Sequence, residues 1–225
     1  NLTGNAFSNT IYGNAGINVL NGGAGNDQMS GLGGNDQFYV DSALDRAFEA
    51  VGGGTDRVFA NVSFALAAGQ EIETLSTTNS AGTGAINFAG NAFNNTIIGN
   101  AGTNVINGGL GNDLLYGYGG TDYFVFDTAL NTVTNRDTIS DFNAVADTIQ
   151  LQNAIFTLLT GTGTLAANLF KNLSLAVQDA DDRILYNDAT GALFYDTNGL
   201  AAGGQTQFAT LTGSPTVTNT DFVVV

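Results

Sequence analysis

A nine-residue period limits what this chain can fold into more than any other feature. Lines of nine set from Gly4 read GNAFSNTIY, GNAGINVLN, GGAGNDQMS and GLGGNDQFY. The first column is Gly4, Gly13, Gly22 and Gly31, the sixth is Asn9, Asn18, Asp27 and Asp36, and the eighth is Ile11, Leu20, Met29 and Phe38. Sequence this rich in Gly, Asn and Asp ordinarily reads as loop, but a flexible linker has no reason to hold three columns in register. The block recurs at residues 87–127, offset by 86 from residues 1–41, with about 26 of 41 positions identical. Its columns are Gly90, Gly99, Gly108 and Gly117, then Asn95, Asn104, Asp113 and Asp122, then Ile97, Ile106, Leu115 and Phe124.

A nine-residue unit fits one glycine-bearing turn of about six residues and a strand of about three. Glycine provides the backbone freedom and close approach of the turn, and the eighth residue points inward. Successive units alternate between two sides of a flattened coil, so unit n stacks on unit n+2 and the sixth-position oxygens lie between stacked turns. Two carboxylates about 5 Å apart repel by about 3 kcal/mol at an effective dielectric of 20, so stacked acidic turns call for a cation. Oxygen-only donors with many backbone carbonyls favour calcium over magnesium.

The charge balance agrees. Twenty acidic side chains face five basic ones (Arg46, Arg57, Arg136, Lys171 and Arg183), for a net charge of −15. Nucleic acid needs clustered Lys and Arg and is excluded as a partner; cations are the expected counter-charge. With neither Cys nor His, the chain has no disulfide, zinc site, thiolate nucleophile or imidazole base. No apolar run reaches membrane-spanning length. Paired Asp residues could serve a glycosidase, but the calcium frame accounts for the same carboxylates better, and no enzyme is expected. With 43% hydrophobic residues in 225, the chain can bury the core of one elongated domain or two packed units. It starts in mid-repeat at Asn1, so a larger parent protein is expected.

The frame GGxGxDxUx, present as Gly22–Ser30 and Gly108–Tyr116, resembles the repeats-in-toxin (RTX), or haemolysin-type calcium-binding, family. The resemblance covers residues 4–59 and 90–149. It implies an all-β fold, a parallel β-roll or β-solenoid in two repeated units, with several Ca2+ ions between turns n and n+2. The ligand pairs it implies are Asn9 with Asp27, Asn18 with Asp36, Asn95 with Asp113 and Asn104 with Asp122. Carbonyls of the first and third turn positions complete them: Gly22, Ala24, Gly31, Gly33, Gly108, Leu110, Gly117 and Gly119. Two departures stand out. The first two units of each block carry Asn where Asp is usual, and the fourth unit has Leu32 or Tyr118 in place of the second Gly.

Beyond the plain repeats, Asp45 and Asn131 fall at position six of the next unit. GGGTDRV (52–58) restores the frame after a two-residue insertion and places Asp56 before Val58, and DTI occurs at Asp137 and again at Asp147. Asp45, Asp56 and Asp137 are read as further ligands that could equally cap turns; Asp141 and Asp147 are read as turn-capping or solvated.

Residues 57–90 alternate apolar and polar and are expected to form strands, with Phe59, Val62 and Phe64 in the core. Residues 151–225 lose the frame. Leu165, Leu169 and Leu173 sit at helical spacing with Thr164 as N-cap, residues 183–196 read as a hairpin around Asp188–Gly191, and DTNG (196–199) as a plain turn. From DTISDF onward the chain is similar to the C-terminal part of serralysin-type secreted proteases, which implies a small mixed C-terminal cap on the open end of the coil. The final TDFVVV fits an edge strand, a C-terminal signal for type I export, or both. The expected organisation is a first roll with connecting strands (1–86), a second roll (87–150) and a cap with the export signal (151–225). The expected function is a calcium-binding module of a larger secreted protein of a Gram-negative bacterium, folding on calcium after passing a type I secretion machinery. Two rivals are a self-assembling surface-layer or adhesin module, with Tyr12, Tyr39 and Tyr116 outward, and the accessory domain of a secreted hydrolase.

Overall fold

A computed structural model describes residues 1–225. Each nine-residue unit forms one short strand around its inward eighth residue. The first block runs through β1 (Leu2–Thr3), β2 (Thr10–Asn14), β3 (Val19–Asn21), β4 (Gln28–Leu32), β5 (Gln37–Val40) and β6 (Arg46–Phe48). The junction holds β7 (Arg57–Ala60), β8 (Phe64–Ala65), β9 (Thr74–Thr77) and β10 (Phe88–Ala89). The second block holds β11 (Thr96–Ile98), β12 (Val105–Asn107), β13 (Leu114–Tyr116), β14 (Tyr123–Phe126), β15 (Asp137–Ile139) and β16 (Thr148–Leu151).

The odd strands β1 to β15 stack in parallel on one face without a break, while the even strands form β2-β4-β6 and then β8-β10-β12-β14-β16 on the other. Register follows the double frame: Ile11 lies beside Met29, and Leu20 beside Phe38. The result is an all-β solenoid of about ten turns, in which both repeated blocks share one coil. Between the faces the eighth-column residues Leu20, Met29, Phe38, Ile97, Ile106, Leu115 and Phe124 are fully buried, and Val58, Leu75, Ile139 and Ile149 extend the row. Each contributes about 1.5–3 kcal/mol of apolar burial, which offsets the order imposed on so many glycines. Ile11, near the N-terminal end of the stack, packs against this core but is only partly buried.

The cap comprises β17 (Gly163–Thr164), β18 (Phe170–Asn172), β19 (Ile184–Asn187), β20 (Ala192–Asp196), β21 (Gln205–Leu211) and β22 (Phe222–Val224). β21 joins β15 in parallel, and β20 and β19 continue that sheet antiparallel, the hairpin read from residues 183–196. Three expectations fail here and at the junction. Residues 164–173 form no α-helix: Thr164 lies in β17, and only Ala167–Leu169 make a 3-10 turn. Neighbouring strands take the backbone groups a helix would need, since Leu165 N–H donates to Phe222 O, Arg183 N–H to Leu169 O and Leu173 N–H to Tyr186 O. The tail is not an edge strand, because β22 lies between β16 and β17. Phe59 and Val62 are only partly buried, for the inward residue of β7 is Val58, while Phe59 stacks on Tyr39 outside, ring centroids 4.9 Å apart. Phe64 is buried as expected.

Candidate metal centres

In every unit the sixth-position side chain folds back over the first-position glycine of the same unit. A Cβ on Gly22, Gly31, Gly108 or Gly117 would collide with the Oδ2 of Asp27, Asp36, Asp113 or Asp122, respectively. On Gly4, Gly13, Gly90 and Gly99 it would meet the Oδ1 of Asn9, Asn18, Asn95 and Asn104. The first-position carbonyl two units later stands over the same spot: Gly22 O over Gly4, Gly31 O over Gly13, Gly108 O over Gly90 and Gly117 O over Gly99. The first glycine is thus a gap kept open for the sixth-position side-chain oxygen, shared with a backbone carbonyl where that side chain is Asn. In the third and fourth units of each block the backbone at position two favours glycine. Gly23 and Gly109 have φ of 78° and 91°, and Leu32 and Tyr118 adopt the same left-handed conformation at 78° and 69°.

The Oδ1 atoms form ladders. Asp27 accepts the N–H of Asn9, and Asp45 that of Asp27. On the other side Asp36 accepts from Asn18, Asp56 from Asp36, and Glu73 Oε2 from Asp56. In the second block Asp113 accepts from Asn95 and Asp137 from Asp113, while Asp122 accepts from Asn104 and Asp147 from Asp122. All four expected Asn–Asp pairs are therefore brought together, each at 2.7–2.8 Å.

The second carboxylate oxygens differ sharply. Those of Asp27, Asp36, Asp56, Asp113 and Asp122, with Glu49 Oε2, are buried with no hydrogen-bond partner. A buried, unsatisfied anionic oxygen costs several kcal/mol unless something positive meets it. No basic side chain does, for the only ion pairs in the chain join Lys171 to Asp179 and Asp182 in the cap. The carbonyls of Gly22, Ala24, Gly33, Gly108, Leu110, Gly117 and Gly119 likewise accept no hydrogen bond. Burial, reinforced by neighbouring carboxylates, pushes Glu49 and Asp122 up to about 7 and Asp56 to about 6. Asp113 is raised by burial and by the charge of Asp137, and Asp137 by burial. Without a cation the ionised forms of Glu49, Asp56, Asp113, Asp122 and Asp137 are disfavoured relative to free carboxyl groups. The donor set is oxygen only, partly backbone and closely spaced, which fits calcium.

Other acceptors are already satisfied. The Oδ1 atoms of Asn9, Asn18, Asn95 and Asn104 close their own turns by accepting the N–H four residues earlier. Asn95 and Asn104 also donate to the carbonyls of Ile72 and Ile86. Asp45 and Asp147 end their ladders with both oxygens on backbone N–H groups. Asp141 holds the N–H groups of Gly117 and Tyr118. Asn131 leaves the frame altogether: it sits in an exposed excursion, bridged to Asn135, and Asp137 takes its place in the column. Sequence reasoning missed Glu49 and Glu73, while Asp147 caps backbone groups as expected. The one available signal was arithmetic, because Glu49 falls two frames after Gly31.

Four copies of the RTX calcium-binding nonapeptide repeat are matched in this chain, over residues 3–38 and 89–124. No curated protein matches it. Glu49, Asp56, Glu73, Asp137 and the cap lie outside the matched segments.

Proposed function

We propose that this coil, whose residues 3–38 and 89–124 are RTX calcium-binding repeats, is a calcium-dependent folding module of a larger secreted bacterial protein. The observation that carries the reading is the set of buried carboxylate oxygens without partners at Asp27, Asp36, Asp56, Asp113 and Asp122. Calcium supplies the positive charge and multiple oxygen coordination that these atoms lack. The chain itself supplies Asp oxygens already held by backbone N–H groups, glycine gaps above them and free carbonyls beside them.

The same features argue for a switch. Repulsion among the carboxylates and the backbone entropy of 31 glycines oppose folding where calcium is scarce. Where calcium is millimolar, metal affinity becomes folding free energy. Passage through a type I exporter suits an unfolded chain, and Phe222 and Val224 are buried against the coil once it is folded. A tail signal is therefore legible only before folding. Every ladder carboxylate is accounted for by turn structure or metal, which supports a binding module rather than a catalytic one.

The test is metal content. The purified chain, dialysed against millimolar calcium and analysed by mass spectrometry, retains several ions, and Asp113→Asn retains fewer. A wild-type chain that retains none contradicts the proposal.

A further inference from the structure

Glu49 stands where the frame places a first-position glycine, two units after Gly31. Above Gly4, Gly13, Gly90 and Gly99 the space receives a backbone carbonyl from two units on: Gly22 O, Gly31 O, Gly108 O and Gly117 O. Above Gly31 it receives the Glu49 carboxylate instead, and a Cβ added there would meet both Glu49 Oε2 and Asp36 Oδ2. One oxygen from each of Asp36, Glu49 and Asp56 falls within 4.8 Å of the others. All three residues are at least 97% buried, and Asp36 Oδ2, Glu49 Oε2 and Asp56 Oδ2 each lack a hydrogen-bond partner. The guanidinium of Arg57, next to Asp56 in sequence, is engaged by Ser76 Oγ and the Phe59 ring and pairs with none of the three carboxylates. Two ligands of one calcium ion, each 2.3–2.6 Å from it, can lie at most about 5 Å apart, so all three oxygens can share a single ion.

We infer that Asp36, Glu49 and Asp56 form a three-carboxylate calcium site, the tightest in the chain. This rests on the calcium reading of the repeats and extends it outside the matched segments. The ordinary ladder step in either block offers two Asp carboxylates at most, as at Asp27–Asp45 and Asp113–Asp137, or one where Asn leads, as at Asn9–Asp27. Exchanging a neutral carbonyl for a carboxylate adds one full negative charge at the ion, and affinity in oxygen-ligand sites rises with ligand charge. Filling this site first also pins the two-residue insertion at Gly52–Gly54, because Glu49 Oε1 occupies the Cβ position of Gly53. The first block would thus order from its inner end.

The experiment is a calorimetric calcium titration of the full chain as wild type, E49Q, G31A and D27N. Glu49→Gln keeps the acceptor for the Ala50 N–H and removes only charge. Gly31→Ala keeps all three carboxylates but fills the gap between them. The expected result is that E49Q and G31A each lose the tightest ion or weaken it at least tenfold, while D27N, in the opposite column, leaves it in place. In calcium E49Q should melt lower than wild type, and in chelator it should show no less β signal than wild type, since repulsion is relieved. Unchanged tight binding in E49Q, or its loss in D27N, overturns the inference and leaves the calcium reading standing. So does E49Q that melts lower in calcium while keeping every ion, which marks a purely structural residue. A wild-type chain that binds no calcium overturns both.

Discussion

Ile11 and Ile97 hold the same place in the two copies of the repeated block, yet they lie on opposite faces of the coil. Ile11 is in β2 and Ile97 in β11, which belongs to the long parallel face. Nine strand steps, an odd number, separate β2 from β11, so the second copy enters half a turn out of phase. One ladder therefore crosses the junction: Asn18, Asp36, Asp56 and Glu73 lead on to Asn95, Asp113 and Asp137. Glu73 joins the halves, its carboxylate accepting the Asp56 N–H at 2.6 Å and its carbonyl the Thr96 N–H at 2.7 Å.

A shared ladder predicts one unfolding transition in saturating calcium. Glu73→Ala leaves the Asp56 N–H without its acceptor, a loss of about 1–3 kcal/mol, and should lower that single transition as a whole. Denaturant melts followed by circular dichroism check this. Two resolved transitions, of which only one moves, would show that the blocks fold separately.

Asp and Asn positions should respond differently to substitution. Asp113→Asn removes a charged oxygen that nothing in the chain satisfies, and at calcium about 100 times its dissociation constant the lost ion is worth about 2.7 kcal/mol. Asn9→Ala loses a partly exposed bond to the Asn5 N–H, about 0.5–1.5 kcal/mol. Asn95→Ala should cost more than Asn9→Ala, because Asn95 also holds the Ile72 carbonyl within the core. Melting temperatures with calcium stoichiometry rank the three. An unchanged ion count in Asp113→Asn would remove Asp113 from the site.

The pH dependence of the calcium-free coil should be inverted relative to ordinary acid denaturation. Glu49 and Asp122 are raised to about 7 and Asp56 to about 6, so the folded chain binds more protons than the unfolded one between about pH 4 and 7. Stability in chelator is then greatest near the low end of that window and is lost as pH rises through the folded values. In calcium the order reverses, because protons compete for the same oxygens. Thermal melts at pH 5 and pH 8, with and without calcium, distinguish the cases. A calcium-free coil more stable at pH 8 would contradict the buried geometry.

Leu32 and Tyr118 sit in left-handed turns built for glycine, at about 1–2 kcal/mol each. Leu32 is 56% exposed, so Leu32→Gly loses little packing and should raise the melting temperature in calcium. Tyr118→Gly should gain less, since its ring lies 6.3 Å from that of Tyr116. A fall in stability for Leu32→Gly would mean the turn is not strained.

The frame alone made the coil, its buried column and the paired Asx residues legible, because a fixed period leaves one way to stack. The function of Glu49 and Glu73 was not legible. In the frame a first-position residue acts through its carbonyl, and only the folded junction shows a side chain taking that place. Asn131 misled because a loop insertion is invisible to a fixed count, and Asp137 restores the column only after it. Leu165, Leu169 and Leu173 misled because helical spacing carries no information about strands waiting to pair with the same backbone. Phe59 misled because apolar character says nothing about which side of a four-residue strand faces inward.

The most direct test of the central claim is far-UV circular dichroism of the chain at neutral pH during a calcium titration from excess chelator. The account predicts a largely unordered spectrum without calcium and a cooperative gain of β signal as calcium reaches the millimolar range, lost again on chelation. A chain equally rich in β-structure in chelator and in calcium would contradict it.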